Sequence, residues 1–286
     1  MNKKNPCCVF DTSSTIDFAT ECFKIFLPME FGFVNFNIVH SLRREIVSDV
    51  WRLGMAYAYD DALEKNCLLT RFNAEWDMAI HLFGRDDFIG GSNHGDEVYY
   101  SASLFIDGVR RDIRRITELT KFENLVFRTE SVGYDPDDHV TKVLLHKKEF
   151  RVDKDGITTE QSVEWLTDRD VDNSYLAMMP PLKTMTDSFY FDLDPQVRDI
   201  KCGFAEDGVH SATLFGKESG VYYTMTVGDY PEFGKSRFII TDNGGSPYNK
   251  MYFLACKRAD VKVGDVWHSV TRHEIKLTKN IDGLGD

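Results

Sequence analysis

Residues 141–152 read Thr141-Lys142-Val143-Leu144-Leu145-His146-Lys147-Lys148-Glu149-Phe150-Arg151-Val152, and residues 159–166 read Thr159-Glu160-Gln161-Ser162-Val163-Glu164-Trp165-Leu166. Between them lies the turn Asp153-Lys154-Asp155-Gly156, whose Asp and Gly residues accept the left-handed backbone of a hairpin turn. Residues on both sides alternate with the period of two that a strand imposes. This stretch therefore predicts an antiparallel β-hairpin.

Similar runs recur along the whole chain. About a dozen segments rich in Val, Ile, Phe, Tyr, Thr and Trp lie between turn residues, and Asp107-Gly108 predicts a second hairpin. Helical periodicity is scarce, and residues 112–122 predict one short helix. So many antiparallel strands must pack as two sheets or close on themselves to cover their apolar faces. We therefore predict an all-β fold, an antiparallel β-sandwich or jelly roll with few short helices, as a single domain over residues 1–286 with residues 1–29 as an extended arm.

The composition argues against several classes of partner. The 286 residues carry a formal net charge of −12, from 34 Lys and Arg against 46 Asp and Glu, whereas nucleic-acid binding needs a basic face. The arginine-rich run at 110–115 is interpreted as a solvated hairpin flank. No window reaches the ~20 apolar residues of a membrane span, and the amino end lacks a signal-peptide core. We expect cytoplasmic synthesis without a signal peptide, and neither nucleic acid nor membrane as a partner.

Titratable groups are densest at His94-Gly95-Asp96-Glu97, which ends a glycine-rich turn and runs into the strand that carries Tyr99 and Tyr100. A histidine beside carboxylates can act as an oriented general base, or as half of a divalent metal site. The alternative is a loop in which the carboxylates cap backbone amides and His94 hydrogen-bonds locally. Both interpretations remain open at this point.

The hairpin at 141–166 offers further candidates. His146 shares a strand face with Leu144 and Phe150, which is equally consistent with an inward-facing structural histidine. The opposite face carries a cationic row that could meet an anionic ligand or water, and Glu160, Ser162 and Glu164 alternate as on a solvated or ligand-lined surface. Asp168, Asp170 and Asp172 have calcium-loop spacing but lack its glycine and distal glutamate. We therefore predict no cofactor, with a divalent metal such as calcium as the alternative.

The carboxyl-terminal third groups aromatic rings with amides and cations. Such groups suit sugar rings, whose apolar CH faces are rimmed by hydroxyls, although sheet packing explains most aromatic residues equally well. The substrate-binding candidates along the chain are Tyr99, Glu164, Lys250, Tyr252, Trp267 and Arg272. The sequence contains no GxSxG, GxGxxG, HExxH or phosphate-loop motif, which removes the commonest hydrolase, nucleotide-binding and metalloprotease functions.

From about residue 30 to 277, the chain resembles the β-jelly-roll and β-sandwich polysaccharide lyases and the glycan-processing proteins of bacteriophage tails. The resemblance lies in the alternation of its strands, in its polar concave positions and in its content of His, Tyr and Arg. Such lyases remove the C5 proton of a uronic acid, protonate the leaving oxygen and neutralise the carboxylate. The resemblance implies His94 or His146 as base, Tyr100 as acid, Arg128 as the neutralising group, and Tyr252 and Trp267 as rings that stack on sugars. A polysaccharide or oligosaccharide is the implied partner.

Two other function classes fit the same residues. One is a non-catalytic glycan-binding protein or a structural component of a virion or tail, for which a homo-oligomer or virion assembly is expected. The other is a glycoside hydrolase that uses Glu97 and Glu164 as paired carboxylates, whose separation distinguishes retaining from inverting chemistry.

Overall fold

The computed structural model of the chain describes residues 4–11, 19–71, 76, 78–90, 94–231 and 236–280. Short 3-10 turns occupy Arg44–Ile46, Ile113–Arg115, Lys183–Met185 and Ile200–Cys202. The strands are β1 (Cys7–Asp11), β2 (Ala19–Pro28), β3 (Phe33–Arg43), β4 (Ser48–Tyr59), β5 (Asn66–Leu68), β6 (Ala79–Leu82), β7 (Phe88–Gly90), β8 (Glu97–Ile106), β9 (Val109–Arg111), β10 (Thr120–Lys121), β11 (Leu125–Tyr134), β12 (Lys142–Val152), β13 (Ile157–Trp165), β14 (Arg169–Met179), β15 (Ser188–Phe191), β16 (Arg198–Asp199), β17 (Phe204–Asp207), β18 (Ser211–Phe215), β19 (Val221–Asp229), β20 (Arg237–Asp242), β21 (Asn249–Val261) and β22 (Val266–Leu277).

The strands form two sheets. The large sheet has the order β10-β1-β2-β3-β4-β8-β11-β12-β13-β22-β19-β18-β15-β16, with β5 paired to β4 and β9 paired to β8. The small sheet has the order β17-β20-β21-β14-β6-β7. Among the described strands, β4 and β8 make the one parallel pairing, through Ser48–Glu97 and Asp49–Val98. The predicted all-β, antiparallel sandwich is confirmed.

The main core lies between the sheets because one face of each strand is apolar. On β12 and β13 the side chains alternate between buried and accessible, as the sequence predicts. Phe127, Phe150 and Trp165 from the large sheet and Phe238 and Phe253 from the small sheet belong to one buried cluster. The two sheets are therefore held by a shared aromatic and aliphatic layer.

Both predicted hairpin turns are confirmed. Asp107 and Gly108, with φ of 49° and 77°, connect β8 to β9. Asp153 shapes the turn from β12 to β13, because its carboxylate accepts the backbone N–H of Asp155 at 2.8 Å and of Gly156 at 3.1 Å. Side-chain hydrogen bonds of this kind are the usual reason for Asp in turns.

Two sequence-based predictions differ from the structure. Residues 1–29 do not form an arm in their described parts, since β1 and β2 pair with each other and β2 pairs with β3 inside the large sheet. Residues 112–122 form a single 3-10 turn at Ile113–Arg115 followed by β10, not an α-helix. Thr120 and Lys121 pair with Cys8 and Cys7 of β1 at the side of the sheet, and this pairing replaces the predicted helix. In the described part of the chain, no helix has the length and apolar character needed to cross a membrane.

Candidate functional site

The structure distributes the predicted site residues over three regions. Glu97, His146 and Trp267 are buried in the interior, and Tyr99 is half-buried beside it. His94, Lys250 and Tyr252 belong to the small sheet or its loops. Tyr100, Arg128, Glu164 and Arg272 lie on the large sheet, on the face opposite the core. No single cleft therefore collects the whole predicted set.

Glu97 and His146 form a buried pair. The Nδ1 atom of His146 lies 2.8 Å from a Glu97 carboxylate oxygen, and the Ser131 hydroxyl donates to the same carboxylate. Burial alone would raise the pKa of Glu97, but neighbouring Lys148 and His146 lower it from 4.5 to about 2. His146 cannot share a site with Arg128, because Arg128 pairs with Glu149 on the opposite face of the sheet. The proposed hydrolase pair fails for the same reason, since Glu97 points inward and Glu164 outward.

Trp267 does not stack on a ligand. It is 2% exposed and packs edge-on against Trp165, with ring centroids 5.1 Å apart. The period of two places it on the inner face of β22, between the sheets. Its expected contact with a sugar is therefore corrected to a role in core packing.

His94, Tyr252 and Lys250 are linked by aromatic contacts on the small sheet. His94 hydrogen-bonds to Asp87 and lies 4.7 Å from the ring of Phe88, and Lys250 lies 5.2 Å from the ring of Tyr252. Tyr252 is 7% exposed and belongs to a small apolar cluster separate from the main core. Residues 91–93 of the glycine-rich turn before His94 lie outside the described residues. The hydrogen bond and ring contact of His94 are thus with Asp87 and Phe88, and not with Tyr100 or Arg128, the acid and neutralising group predicted to act with it.

Five neighbouring strands of the large sheet, β8, β11, β12, β13 and β22, present a polar surface away from the core. Paired residues form two rows across it, the first being Ser101, Glu130, Lys147, Ser162 and His268, and the second Ser103, Arg128, Glu149, Glu160 and Val270. We call these two rows, with the adjoining Tyr100, Glu164, Arg151 and Asp229, the outer polar face. At about 4.8 Å per strand, the rows span about 19 Å.

Ion pairs connect this face from one side to the other. Arg128 and Arg151 both contact Glu149, and Arg151 Nη2 lies 2.9 Å from a Glu160 oxygen. Glu160 in turn meets His268, which meets Asp229. Carboxylates and nitrogen-bearing side chains therefore alternate along this series. Glu149 and Glu160 each lie between two nitrogen-bearing side chains, and Asp229 lies at the end of the series.

His268 is the best-defined proton carrier on the outer polar face. Its Nδ1 lies 2.8 Å from Asp229 and its Nε2 lies 3.1 Å from Glu160, so that both ring nitrogens face carboxylate oxygens. The hydrogen bond to Asp229 raises the pKa of His268 above its ordinary 6.5, and Glu160 adds to this effect against the opposing effect of burial. The side chain remains 43% exposed and can reach a ligand. His268 is therefore an oriented imidazole with access to solvent, and its raised pKa favours the protonated form.

A shallow depression of about 270 Å3 lies on this face and is lined by residues of both rows, including Arg128, Lys147, Glu160 and His268. This volume is just below the range of about 300–1,000 Å3 typical of small-ligand pockets. Tyr100, 56% exposed, lies beside the rows. Burial raises the pKa of Tyr100, and the charges of Glu130 and Glu164 raise it further, so its hydroxyl stays protonated.

Arg272 lies on the same side of the sheet but has a structural partner. Its two terminal nitrogens contact the Asp153 carboxylate at 2.8 and 3.0 Å, and one also donates to the Thr158 hydroxyl at 3.0 Å. This fork joins the turn of the 141–166 hairpin to β22. Arg272 therefore has a structural role within the fold, in place of the predicted contact with substrate.

Sequence reasoning missed the partners of His268. The alternation of Glu160 and Ser162 predicted an exposed polar face, but Asp229 carried no signal because it joins the face through pairing of β19 with β22. Among the described residues, no group of three His, Cys, Asp or Glu side chains is arranged to hold a metal ion. The calcium-like spacing of Asp168, Asp170 and Asp172 is thus not accompanied by a metal-binding geometry.

No known protein family and no curated protein match the sequence. Several solved structures resemble it at low similarity. The galactosidase domain of an alpha-galactosidase-sucrose kinase gives a TM-score of 0.49 at 8% identity, covering 91% of this chain and 41% of that chain. A putative aldose 1-epimerase from Escherichia coli K12 gives 0.45 at 10% identity, covering 88% and 99%. A heparinase III gives 0.39 at 10% identity, covering 89% and 36%. The neighbours are thus carbohydrate-related proteins by name, and the chain spans less than half the length of the first.

Proposed function

We propose that this chain binds a carbohydrate on the outer polar face and that His268 donates a proton to it. The observation that carries the proposal is the placement of His268 between Asp229 and Glu160 on an accessible surface. Carboxylates on both nitrogens favour the imidazolium form. A sugar oxygen that replaces Glu160 at Nε2 takes the proton from that nitrogen, and the neutral ring keeps its Nδ1 hydrogen bond to Asp229. The two carboxylates also fix the ring plane, which reduces the cost of orienting the donor.

The rest of the outer polar face suits a sugar. Sugar hydroxyls both donate and accept hydrogen bonds, and the two rows offer carboxylates, cations and the hydroxyls of Ser101, Ser103 and Ser162. The exposed ring of Tyr100 supplies an aromatic surface next to them. The length of the rows exceeds a single sugar ring, so an oligosaccharide can lie along them.

A second candidate is β-elimination on a uronic acid, favoured by Lys147 on this face. Lys147 is the group that would neutralise the uronate carboxylate, because Arg128 and Arg151 already pair with Glu149. Tyr100 has a protonated hydroxyl for the leaving oxygen, and Glu130 and Glu164 beside it are the carboxylates that could accept the C5 proton. In this mechanism His268 orients the substrate and Tyr100 is the acid.

The test exposes the protein to neutral and uronate-containing oligosaccharides and follows three products. Elimination gives the ultraviolet absorbance of an unsaturated uronate, hydrolysis gives reducing ends without it, and ring opening gives anomeric exchange visible by NMR. We expect turnover in one of these assays, with His268→Gln lowering the rate by about 100-fold or more. The matched control is His139→Gln, because His139 is also half-exposed and bonded to an aspartate, Asp96, away from the two rows.

Equal rates in wild type and His268→Gln would reject His268 as the donor. Oligosaccharide binding without any of the three products would support the non-catalytic alternative and reject proton transfer. Absence of binding by every oligosaccharide would reject the outer polar face as a carbohydrate site.

A further inference from the structure

A cleft of about 480 Å3 lies beside β8, at the point where the large sheet is interrupted. The described pairing between β4 and β8 ends at Asp49 and Val98, and the strands separate beyond it. The cleft is lined by side chains from both sides of this gap, among them the half-buried Tyr99 of β8 and the buried Trp51 of β4, which is 2% exposed. Its volume lies within the range of about 300–1,000 Å3 typical of small-ligand sites.

One wall of the cleft is residues 109–121, which we call the strap. The strap leaves β8 through β9, crosses the gap and reaches β1, where Phe10 N–H donates to the Ile116 carbonyl at 2.7 Å. Arg114 fixes it to β2, since its Nη2 lies 2.9 Å from a Glu21 oxygen. The wall is therefore attached on both sides of the gap.

The floor is aromatic and held in place. Trp51 stacks on His40 with ring centroids 5.0 Å apart and planes at 14°, and Tyr99 meets His40 edge-on at 5.2 Å. The ring nitrogens of His40 lie 3.1 Å from Glu21 and 2.6 Å from Asp49. These contacts fix the rings before a ligand arrives, which lowers the entropy cost of binding.

The lining is cationic although the whole chain has a net charge of −12. It includes Arg110, Arg111 and Arg114 against one acidic residue, Asp112. Arg111 pairs with Leu104, which also lines the cleft, so the two side chains share the face that looks onto the floor. In the part of the chain that the structure describes, no ion pair is found for Arg110 or Arg111, so their guanidinium groups are available to an anion.

We propose that this cleft binds a ring compound of about hexose size that carries a carboxylate, sulfate or phosphate group. Arg111 takes the anionic group, because guanidinium donors match two oxygens of such a group at once. The floor meets the apolar side of the ring through the half-buried Tyr99, while Trp51, 2% exposed, supports Tyr99 from below through His40. This site is separate from the outer polar face, and its existence does not depend on the function proposed for that face.

Calorimetric titration of the full chain tests the proposal with glucose 6-phosphate and glucuronate as probes, glucose as the neutral control and inorganic phosphate as the free anion. We expect saturable binding of at least one anionic sugar, no comparable binding of glucose, and weaker binding at high salt. Arg111→Ala should weaken binding by about tenfold or more. The matched control is Arg115→Ala, which removes an arginine of the strap that is 87% exposed and does not line the cleft.

Unchanged binding in Arg111→Ala, confirmed as folded by circular dichroism, overturns the proposal, as does failure of both anionic sugars to bind the wild type. Inorganic phosphate binding as tightly as glucose 6-phosphate overturns the part played by the aromatic floor. His268→Gln separates the two sites, because binding in the cleft should persist in that variant. Loss of the anionic sugar in His268→Gln would assign it to the outer polar face and overturn the cleft site.

Discussion

His146 and Glu97 are 49 positions apart in the chain, yet the Nδ1 atom of His146 lies 2.8 Å from the Glu97 carboxylate in the sealed interior. The Nε2 atom of His146 lies 3.2 Å from the Gln161 side-chain oxygen, and the Gln161 amide donates to the Leu176 carbonyl at 2.7 Å. Leu176 belongs to the small sheet. This polar path therefore crosses the sandwich and joins its two layers through groups that have no access to water.

Glu97→Gln should destabilise the fold by about 3–5 kcal/mol, because it removes the buried carboxylate that offsets the charge of Lys148. The measurement is the free energy of unfolding from chemical denaturation. Glu164→Gln is the matched control, since Glu164 lies on the accessible face of the same sheet, and it should change stability by less than about 1 kcal/mol. Equal effects of the two substitutions would contradict a charged interior pair.

The acid dependence of stability should contain a contribution from Glu97. Its pKa is lowered from 4.5 in the unfolded chain to about 2 in the fold, so the stabilisation is complete above pH 4.5 and is lost as the pH falls towards 2. The difference in unfolding free energy between wild type and Glu97→Gln should narrow over this interval. Denaturation curves at several pH values, within the range where wild type is folded, measure it. A difference that stays constant with pH would show that Glu97 does not titrate with a lowered pKa.

NMR titration of the histidine rings should give His268 a pKa above 6.5. Asp229→Asn should lower that pKa, because it replaces the charged acceptor that contributes most to the rise with a neutral one, and Glu160→Gln should lower it by a smaller amount. His139 is the internal control, since its pKa is raised by a different carboxylate, that of Asp96. An unchanged His268 titration in Asp229→Asn would refute the proposed orientation of the donor.

Gly95→Ala should cost more than about 2 kcal/mol of stability. Gly95 has a φ of +98°, and an added Cβ would lie 1.9 Å from the Ile46 carbonyl oxygen, which already accepts the backbone N–H of Asp96. Gly108→Ala measures the cost of the backbone conformation alone, because Gly108 has a φ of +77° and an added Cβ would have nothing within 4 Å. We expect a loss of stability of about 1 kcal/mol for this substitution. Thermal unfolding compares the two, and a Gly95→Ala cost no larger than that of Gly108→Ala would argue against the close approach.

The sequence was sufficient to predict structural properties that depend only on neighbouring positions in the chain. The alternation along the 141–166 hairpin predicted that His146 shares a strand face with Leu144 and Phe150, and the burial of all three side chains selects the structural alternative for His146. Glu160 and Ser162 were predicted to face away from the core, and they do. These predictions succeed because a strand fixes the direction of each side chain by position alone.

The candidate site could not be predicted from the sequence in the same way. His268 acquires Glu160, 108 positions away, through the pairing of β13 with β22, and Asp229 through the pairing of β22 with β19. Hydrophobic periodicity carries no information on which strands become neighbours in the sheet. The same limit explains β1 and β2, whose place in the large sheet depends on partners such as β10 that lie more than a hundred residues later.

The interruption between β4 and β8 has a mechanical consequence. Two residue pairs join the meander of β1 to β5 to the remainder of the large sheet in the described structure, while its internal strands share long ladders such as the one between β3 and β4. A sheet that is pulled or heated separates where the fewest hydrogen bonds must break at once. Across that line the two parts of the sheet are held instead by the shared core, in which Trp51 of β4 packs edge-on against Phe127 of β11, and by the strap.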